Sequence, residues 1–385
     1  MIDLSLAGFL VFILAVGLLI YKDRKNMKLE GIVLMRRTNK GRAILDIVKK
    51  QPRLWKIIGI ISLIAGIIGM IFITFFIANN TMLIFSGEKT GSVKIVLPWS
   101  EAGTAPGVFF LPWYFWIIGI AVIVIPHEFF HGFMCRLHGI KVKALGWFLL
   151  LGILPGAFVE PEKKSLDSAK PGTKLKIYAA GSFANILTAG IAYIITIILI
   201  FTFFAPAGVS VGVIANETYP AYQANMSGYI THINIQQAGY NTNTSGIEVR
   251  SVNDITSAME TVKIGDIVKI TTNKGEYDIK TIEHPDNPGK AFIGITGPYN
   301  TVNEPKEQGT KDIVNFFTDM FMWIFILSLG IGLFNLLPMK PLDGGYIMEE
   351  IVKKPFPTHA KNAMIIISVA VFAMIVISLI GPIVL

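Results

Sequence analysis

His127-Glu128-Phe129-Phe130-His131 lies near the end of an apolar run that begins around Phe109. On a helix, residues four apart share one face, so the two imidazoles can address a single metal ion. Glu128 lies about 100° round the helix from His127, beside that face and free to take a proton from an attacking water. Ionisable groups in hydrocarbon cost on the order of a few kcal/mol each, and persist where they pair, bind something or line a wet cavity. The bland alternative is a pair of buried histidines bonded to helix carbonyls. Catalytic zinc takes three protein ligands and keeps a fourth position open for water. Cys135, one turn past His131, would close that position as a fourth protein ligand, and it reads as packing.

The third ligand has to come from elsewhere in the chain. "FNLLPMKPLDGGYIMEE", Phe334 to Glu350, places Asp343 after Pro338 and Pro341, which end a helix, and before Gly344 and Gly345, which allow a tight turn. Read alone, Asp343 would be taken for a surface cap or turn residue.

What must position these groups is a membrane protein. The 385 residues are 52% hydrophobic and 16% charged, against about 25% charged in soluble domains. Six segments are long and apolar enough to span about 30 Å of hydrocarbon as helices. They are Leu4–Ile20, Ile57–Ala78, Pro112–Met134, Ile177–Phe204, Phe316–Leu337 and Ala363–Leu385. The first lacks a basic region before it and a small-residue cleavage site, so it reads as a retained anchor with Met1 outside.

Charge agrees with that orientation. Residues 21–56, 135–176 and 338–361 then face the cytoplasm and hold 12, 8 and 4 Lys/Arg, which is 24 of the chain's 34. Residues 79–111 hold only Lys89 and Lys94, and residues 205–315 hold 8 Lys/Arg against 12 Asp/Glu. This positive-inside pattern accounts for the net charge of +8 without nucleic acid, the basic loops needing only anionic lipid headgroups.

The same orientation brings the chemistry together. His127 lies about 15 residues past the outer start of its span, roughly 22 Å deep and nearer the cytoplasmic side. The span before Asp343 also runs outside to inside, so Asp343 reaches that end. Between spans three and four, "ALGWFLLLGILPGAFV", Ala144 to Val159, is too short to cross and is broken by Gly146, Gly152, Pro155 and Gly156. Lysines on both flanks return it to the side it came from, which predicts a re-entrant, extended hairpin near the histidines. A buried or interfacial apolar hairpin without function is the other reading.

Residues 205–300 differ in kind. "VSVGVI", "YITHINI", "DIVKITT", "YDIKTI" and "AFIGITG" are short β-branched runs, with the helix-like "VNDITSAMETV" among them. They predict a small mixed α/β domain outside the bilayer.

Two sets of residues carry a family resemblance. H-E-x-x-H in an early span, with Asn335, Pro338, Pro341, Leu342, Asp343, Gly344 and Gly345 as N-x-x-P-x-x-P-L-D-G-G in a late one, resembles the site-2 protease family of intramembrane metalloproteases. The resemblance implies one zinc ion per chain held by His127, His131 and Asp343. It also implies Glu128 as general base, and Asn335 positioning the substrate or polarising its carbonyl. A third family element, glycine-proline followed by asparagine, is matched in "GSFAN" by Gly181 and Asn185, with Ser182 where the family has proline. "YPAYQANMSGYITHIN", Tyr219 to Asn234, and "SVNDITSAMETVKIGDIVKITT", Ser251 to Thr272, resemble the PDZ fold, which implies peptide binding or a spacer that restricts access.

The expected architecture is therefore six transmembrane helices, a re-entrant β-like segment and an inserted PDZ-like domain. Residues 1–56 form an anchor and basic cytoplasmic loop, 57–204 and 314–385 a split catalytic core, and 208–300 the outer domain. The expected activity is hydrolysis of a peptide bond in or near the span of single-span membrane proteins. The expected place is the cell membrane of a prokaryote, with the active site nearer the cytoplasmic face. A catalytically silent adaptor that binds peptides through the PDZ-like domain, and a zinc transporter, are the competing readings. Loss of Glu128 or Asp343 would have favoured the first. The second calls for more polar residues along the spans and paired structural halves.

Overall fold

The computed structural model describes residues 4–87, 93–99, 103–105, 107–150, 154–236 and 246–384. Helix α1 (Leu4–Asp23) leads through the hairpin β1 (Met27–Glu30) and β2 (Val33–Thr38) to α2 (Pro52–Phe85). Strands β3 (Ile95–Trp99), β4 (Gly103–Ala105) and β5 (Val108–Pro112) precede α3 (Trp113–Leu137). A second hairpin, β6 (Val142–Leu150) and β7 (Leu154–Pro161), is followed by short α4 (Lys163–Asp167) and by α5 (Pro171–Phe203). The polar segment then contributes β8 (Phe204–Val213), α6 (Pro220–Gln223), β9 (Tyr229–Gln236), β10 (Ile247–Glu248) and α7 (Val252–Glu260). It continues with β11 (Ile267–Thr272), β12 (Gly275–Lys280), β13 (Ile282–His284), β14 (Asn287–Phe292) and β15 (Ile295–Pro305). Helices α8 (Lys311–Asn335), α9 (Asp343–Lys353) and α10 (Ala360–Val384) complete the chain. Two compact units result, Met1–Thr196 with Asp319–Leu385, and Ile197–Thr318.

In the first unit the long helices are built inside out relative to a soluble protein. Helix α2 turns Ile60, Ile64, Ile68, Ile71 and Phe75 outward and buries Gly59, Ser62, Gly66 and Gly69. Lipid tails are as apolar as these isoleucines, so burial drives little, and small residues that let backbones approach decide the packing. A methyl added at Gly66 would lie 2.8 Å from Ala179 Cβ, and one at Gly69 would lie 2.6 Å from Leu336 Cδ1. Among the described residues, five helices are long and apolar enough to cross a membrane: α2, α3, α5, α8 and α10. The chain is a multi-pass helical membrane protein, with five such helices among the described residues. Helix α1 covers the expected first span and exposes Leu10, Leu14 and Leu18.

The segment 144–159 forms the expected extended hairpin in its described residues, with Trp147 opposite Ala157 and Leu145 opposite Val159. Two expectations change. The basic segment 21–56 is more than a loop, because β1 and β2 join the hairpin in one antiparallel sheet of order β1-β2-β6-β7. Strand β6 is thereby an inner strand, Arg36 of β2 pairing with Trp147, and β7 has the free edge. "KLEGIVLMRRT" alternates too little to announce this, and its three cations, Lys28, Arg36 and Arg37, masked it.

In the second unit, the sheet order is β12-β11-β9-β8-β15 with β10 on β9. Alternate residues of β9 and β11, including Ile230, Val268 and Ile270, point into a core shared with Ile255 and Ala258 of α7. Asp254 starts α7 by accepting from the amides of Arg250 (2.8 Å) and Ser251 (2.7 Å). Those donors hold its carboxyl below the usual carboxylate range. A cleft of about 440 Å³ runs between α7 and strands β14–β15, lined by Ile255, Met259, His284, Lys290 and Phe292.

Candidate metal centre

Helix α3 carries His127 and His131 one turn apart, with Nε2 atoms 3.2 Å from each other. Their outward-facing nitrogens are both engaged by α5. His131 Nδ1 lies 2.7 Å from the carbonyl of Ile177, to which it must donate, leaving Nε2 as the lone-pair nitrogen. His127 Nδ1 faces the side-chain amide of Asn185 at 3.1 Å. Asn185 is fully buried, and its Oδ1 has no protein partner as placed. Oxygen and nitrogen of an amide are interchangeable by a flip. With Oδ1 turned to His127, the Nδ1–H donates and Nε2 is again freed.

Asp343 opens α9. Gly344 and Gly345 act here by close approach, and neither has a positive φ. Side chains there would strike the Leu336 carbonyl at 2.0 Å and the Met339 backbone at 2.5 Å, so only glycine lets α9 fold back on the turn before it. Helices α5 and α9 then meet in three rungs at helical spacing. Lys174 pairs with Glu350 at 3.6 Å, the rings of Tyr178 and Tyr346 stack at 5.3 Å, and Ser182 Oγ donates to Asp343 Oδ2 at 3.3 Å.

The result is a nearly equilateral triangle of donors. Asp343 Oδ2 is 3.4 Å from His127 Nε2 and 3.3 Å from His131 Nε2. Ligand atoms 2.0–2.1 Å from a tetrahedral zinc are separated by about 3.3–3.4 Å, so the residues fit that ion. A second observation agrees. A Cβ on Gly181 would sit 2.2 Å from His131 Nε2 and 2.7 Å from His127 Nε2, so the space beside the donors is kept open by the absence of a side chain. Among the described residues these three form a group able to hold a metal.

Glu128 stands beside the triangle, its Oε2 accepting the Val159 amide of β7 at 2.9 Å. Asn335, the last residue of α8, lines the same cavity of about 680 Å³, together with Asn185 and Pro155. Cys135 is buried in an apolar cluster with Leu45 and Met134, outside the metal group. Sequence reasoning missed Ile177 and Ser182 as contacts of the ligands. Their signal was present, since 177, 181, 182 and 185 lie on one face of an apolar span, but a backbone carbonyl carries no residue code.

Two comparisons bear on this arrangement. The family description "Peptidase family M50" matches residues 115–377, which include both histidines, Glu128, Asn335 and Asp343. An uncharacterized protein of Methanocaldococcus jannaschii is 27% identical over 355 residues, covering 88% of this chain and 83% of that protein.

Proposed function

The chain belongs to peptidase family M50, the site-2 protease family, and from that membership we propose that it is an intramembrane zinc metalloprotease acting on membrane-anchored proteins. The observation that carries the reading is the donor triangle of 3.2–3.4 Å with a carboxylate beside it, on a helix apolar enough to lie in a bilayer. His127, His131 and Asp343 hold the zinc, which when bound supplies a Lewis acid that polarises a carbonyl and lowers the pKa of water toward 7. Glu128 takes the proton of the attacking water and returns it to the leaving amine. The Val159 amide holds one of its oxygens and leaves the other for the water. Asn335, which lines the same cavity, orients the substrate carbonyl.

A substrate helix hides its carbonyls in its own hydrogen bonds and must unwind to react. The free edge of β7 supports docking of the unwound segment by strand addition. Val159 points its amide at Glu128 and away from β6, so by strand alternation Pro155 and Ala157 face outward too. Proline has no N–H to give. Ala157 is thus the residue able to both donate to and accept from a substrate strand.

Single-span proteins of a prokaryotic cell membrane are the proposed substrates. Helix α1 serves as a sixth span, the site lies nearer the cytoplasm, and the PDZ-like domain lies outside, where it filters or docks substrates already trimmed there. The charge distribution supports this orientation. The cleft along α7 favours a second reading, an adaptor that binds peptides.

Purified protein with a detergent-solubilised single-span substrate separates the two. Cleavage should stop on chelation and return with zinc, and Asp343→Ala should lose both metal and activity. Undiminished cleavage after the metal is removed, or full zinc stoichiometry in Asp343→Ala, would overturn the proposal.

A further inference from the structure

We propose that Ser182 is a positioning residue for the metal centre: it directs Asp343 Oδ2 toward the two imidazoles, doing in this chain what the proline at that place in the family motif cannot do. The inference rests on the metal reading above and assigns a role to a side chain that reading does not use.

Four observations converge on it. First, Ser182 is fully buried, and its Oγ–H donates to Asp343 Oδ2 at 3.3 Å across 161 residues of sequence. Second, the oxygen it reaches is the one 3.3–3.4 Å from both Nε2 atoms. Third, the direction of the hydroxyl is unusual for this protein. Ser62, Thr188, Thr196 and Thr318 all donate to the carbonyl four residues back, the default for a hydroxyl in an apolar helix. Ser182 turns outward to a carboxylate instead. Fourth, it completes a pattern on α5. Ile177 holds His131, Ser182 holds Asp343, and Asn185 holds His127, so each candidate ligand is oriented by a separate group of one helix.

The chemistry follows from the geometry. Asp343 stands at the start of α9 and can rotate about its side-chain bonds, whereas the histidines are stiffened by their ring partners. A donor on Oδ2 restricts that rotation and keeps this oxygen turned toward the two imidazoles. Loss of such an outer partner typically weakens metal binding by about 10- to 100-fold. A buried serine that only fills space would have no such effect on affinity.

The test measures metal affinity directly, by competition of the purified protein against a zinc chelator of known affinity. It is supported by the visible spectrum of the cobalt-substituted protein and by metal-free thermal midpoints. Ser182→Ala should weaken zinc binding about 10-fold or more, with a metal-free midpoint close to wild type and an altered cobalt spectrum. Ser182→Thr, which keeps the hydroxyl, should bind within about threefold of wild type, and Ser182→Pro should resemble alanine or be weaker. Equal affinity in Ser182→Ala and wild type overturns the inference. So does equal weakening in alanine and threonine, or a metal-free destabilisation that accounts for the whole loss, since each marks a packing role. A wild-type protein that binds no zinc would instead overturn the metal centre itself, so the two failures are distinguishable.

Discussion

Gly181 is informative because its side chain is missing. The methyl of alanine there would lie 2.2 Å from His131 Nε2 and 2.7 Å from His127 Nε2, inside the space a metal would need. Gly181→Ala should therefore push the two rings away from α5 and hold far less than one zinc per chain by elemental analysis, at a cost in stability that the metal-free thermal midpoint would read. Full occupancy would mean that the ion sits elsewhere. Glu128→Gln makes the complementary change. The amide keeps the shape but cannot take a proton, so zinc should stay while hydrolysis falls by about 10²- to 10⁴-fold. Activity within about tenfold of wild type would move the base to another residue.

At the scale of elements, strand order decides which backbone a substrate can reach. The apolar run 144–159 predicts a hairpin near the histidines, and on that basis prolines along Trp147–Leu151 would interrupt substrate pairing. Trp147 lies instead on an inner strand between Arg36 and Ala157, so proline there would break the sheet. The informative position moves to β7. Ala157→Pro removes an outward N–H from an edge strand, where proline is tolerated. It should slow cleavage about 2- to 10-fold or more, the worth of one hydrogen bond, with zinc still bound. Normal cleavage by Ala157→Pro would place the substrate on another edge.

At the scale of the whole molecule, the polar segment 205–304 is an insertion whose ends return to each other. Phe204 pairs with Pro305, and the Lys306 amide donates to the Phe203 carbonyl at 2.8 Å. A short linker can therefore replace residues 205–304 without stretching α5 or α8. That deletion should keep one zinc and cleavage of substrates with short ectodomains, while long-ectodomain substrates become better cut. Unchanged selectivity between long and short ectodomains would show that the domain neither filters nor docks.

The sequence alone determined what depends on short range and on solvent. Helical spacing places His127, Glu128 and His131 side by side whatever surrounds them. Twenty-residue apolar runs imply helices in lipid because nothing else satisfies a backbone there. Depth within the spans was enough to single out Asp343 as a partner. The tertiary structure decided what depends on contacts distant in the chain. Ile177, Asn185 and Ser182 meet the candidate ligands across 46, 58 and 161 residues, through one carbonyl, one amide and one hydroxyl; the "GSFAN" resemblance marks Asn185, but no local pattern names the group that each one meets. Likewise β2 and β7 compete for the edges of β6, and backbone hydrogen bonds are the same for any residue but proline. Side-chain identity could therefore announce the hairpin but not its free edge, which was set by how the N-terminal strands pack against it.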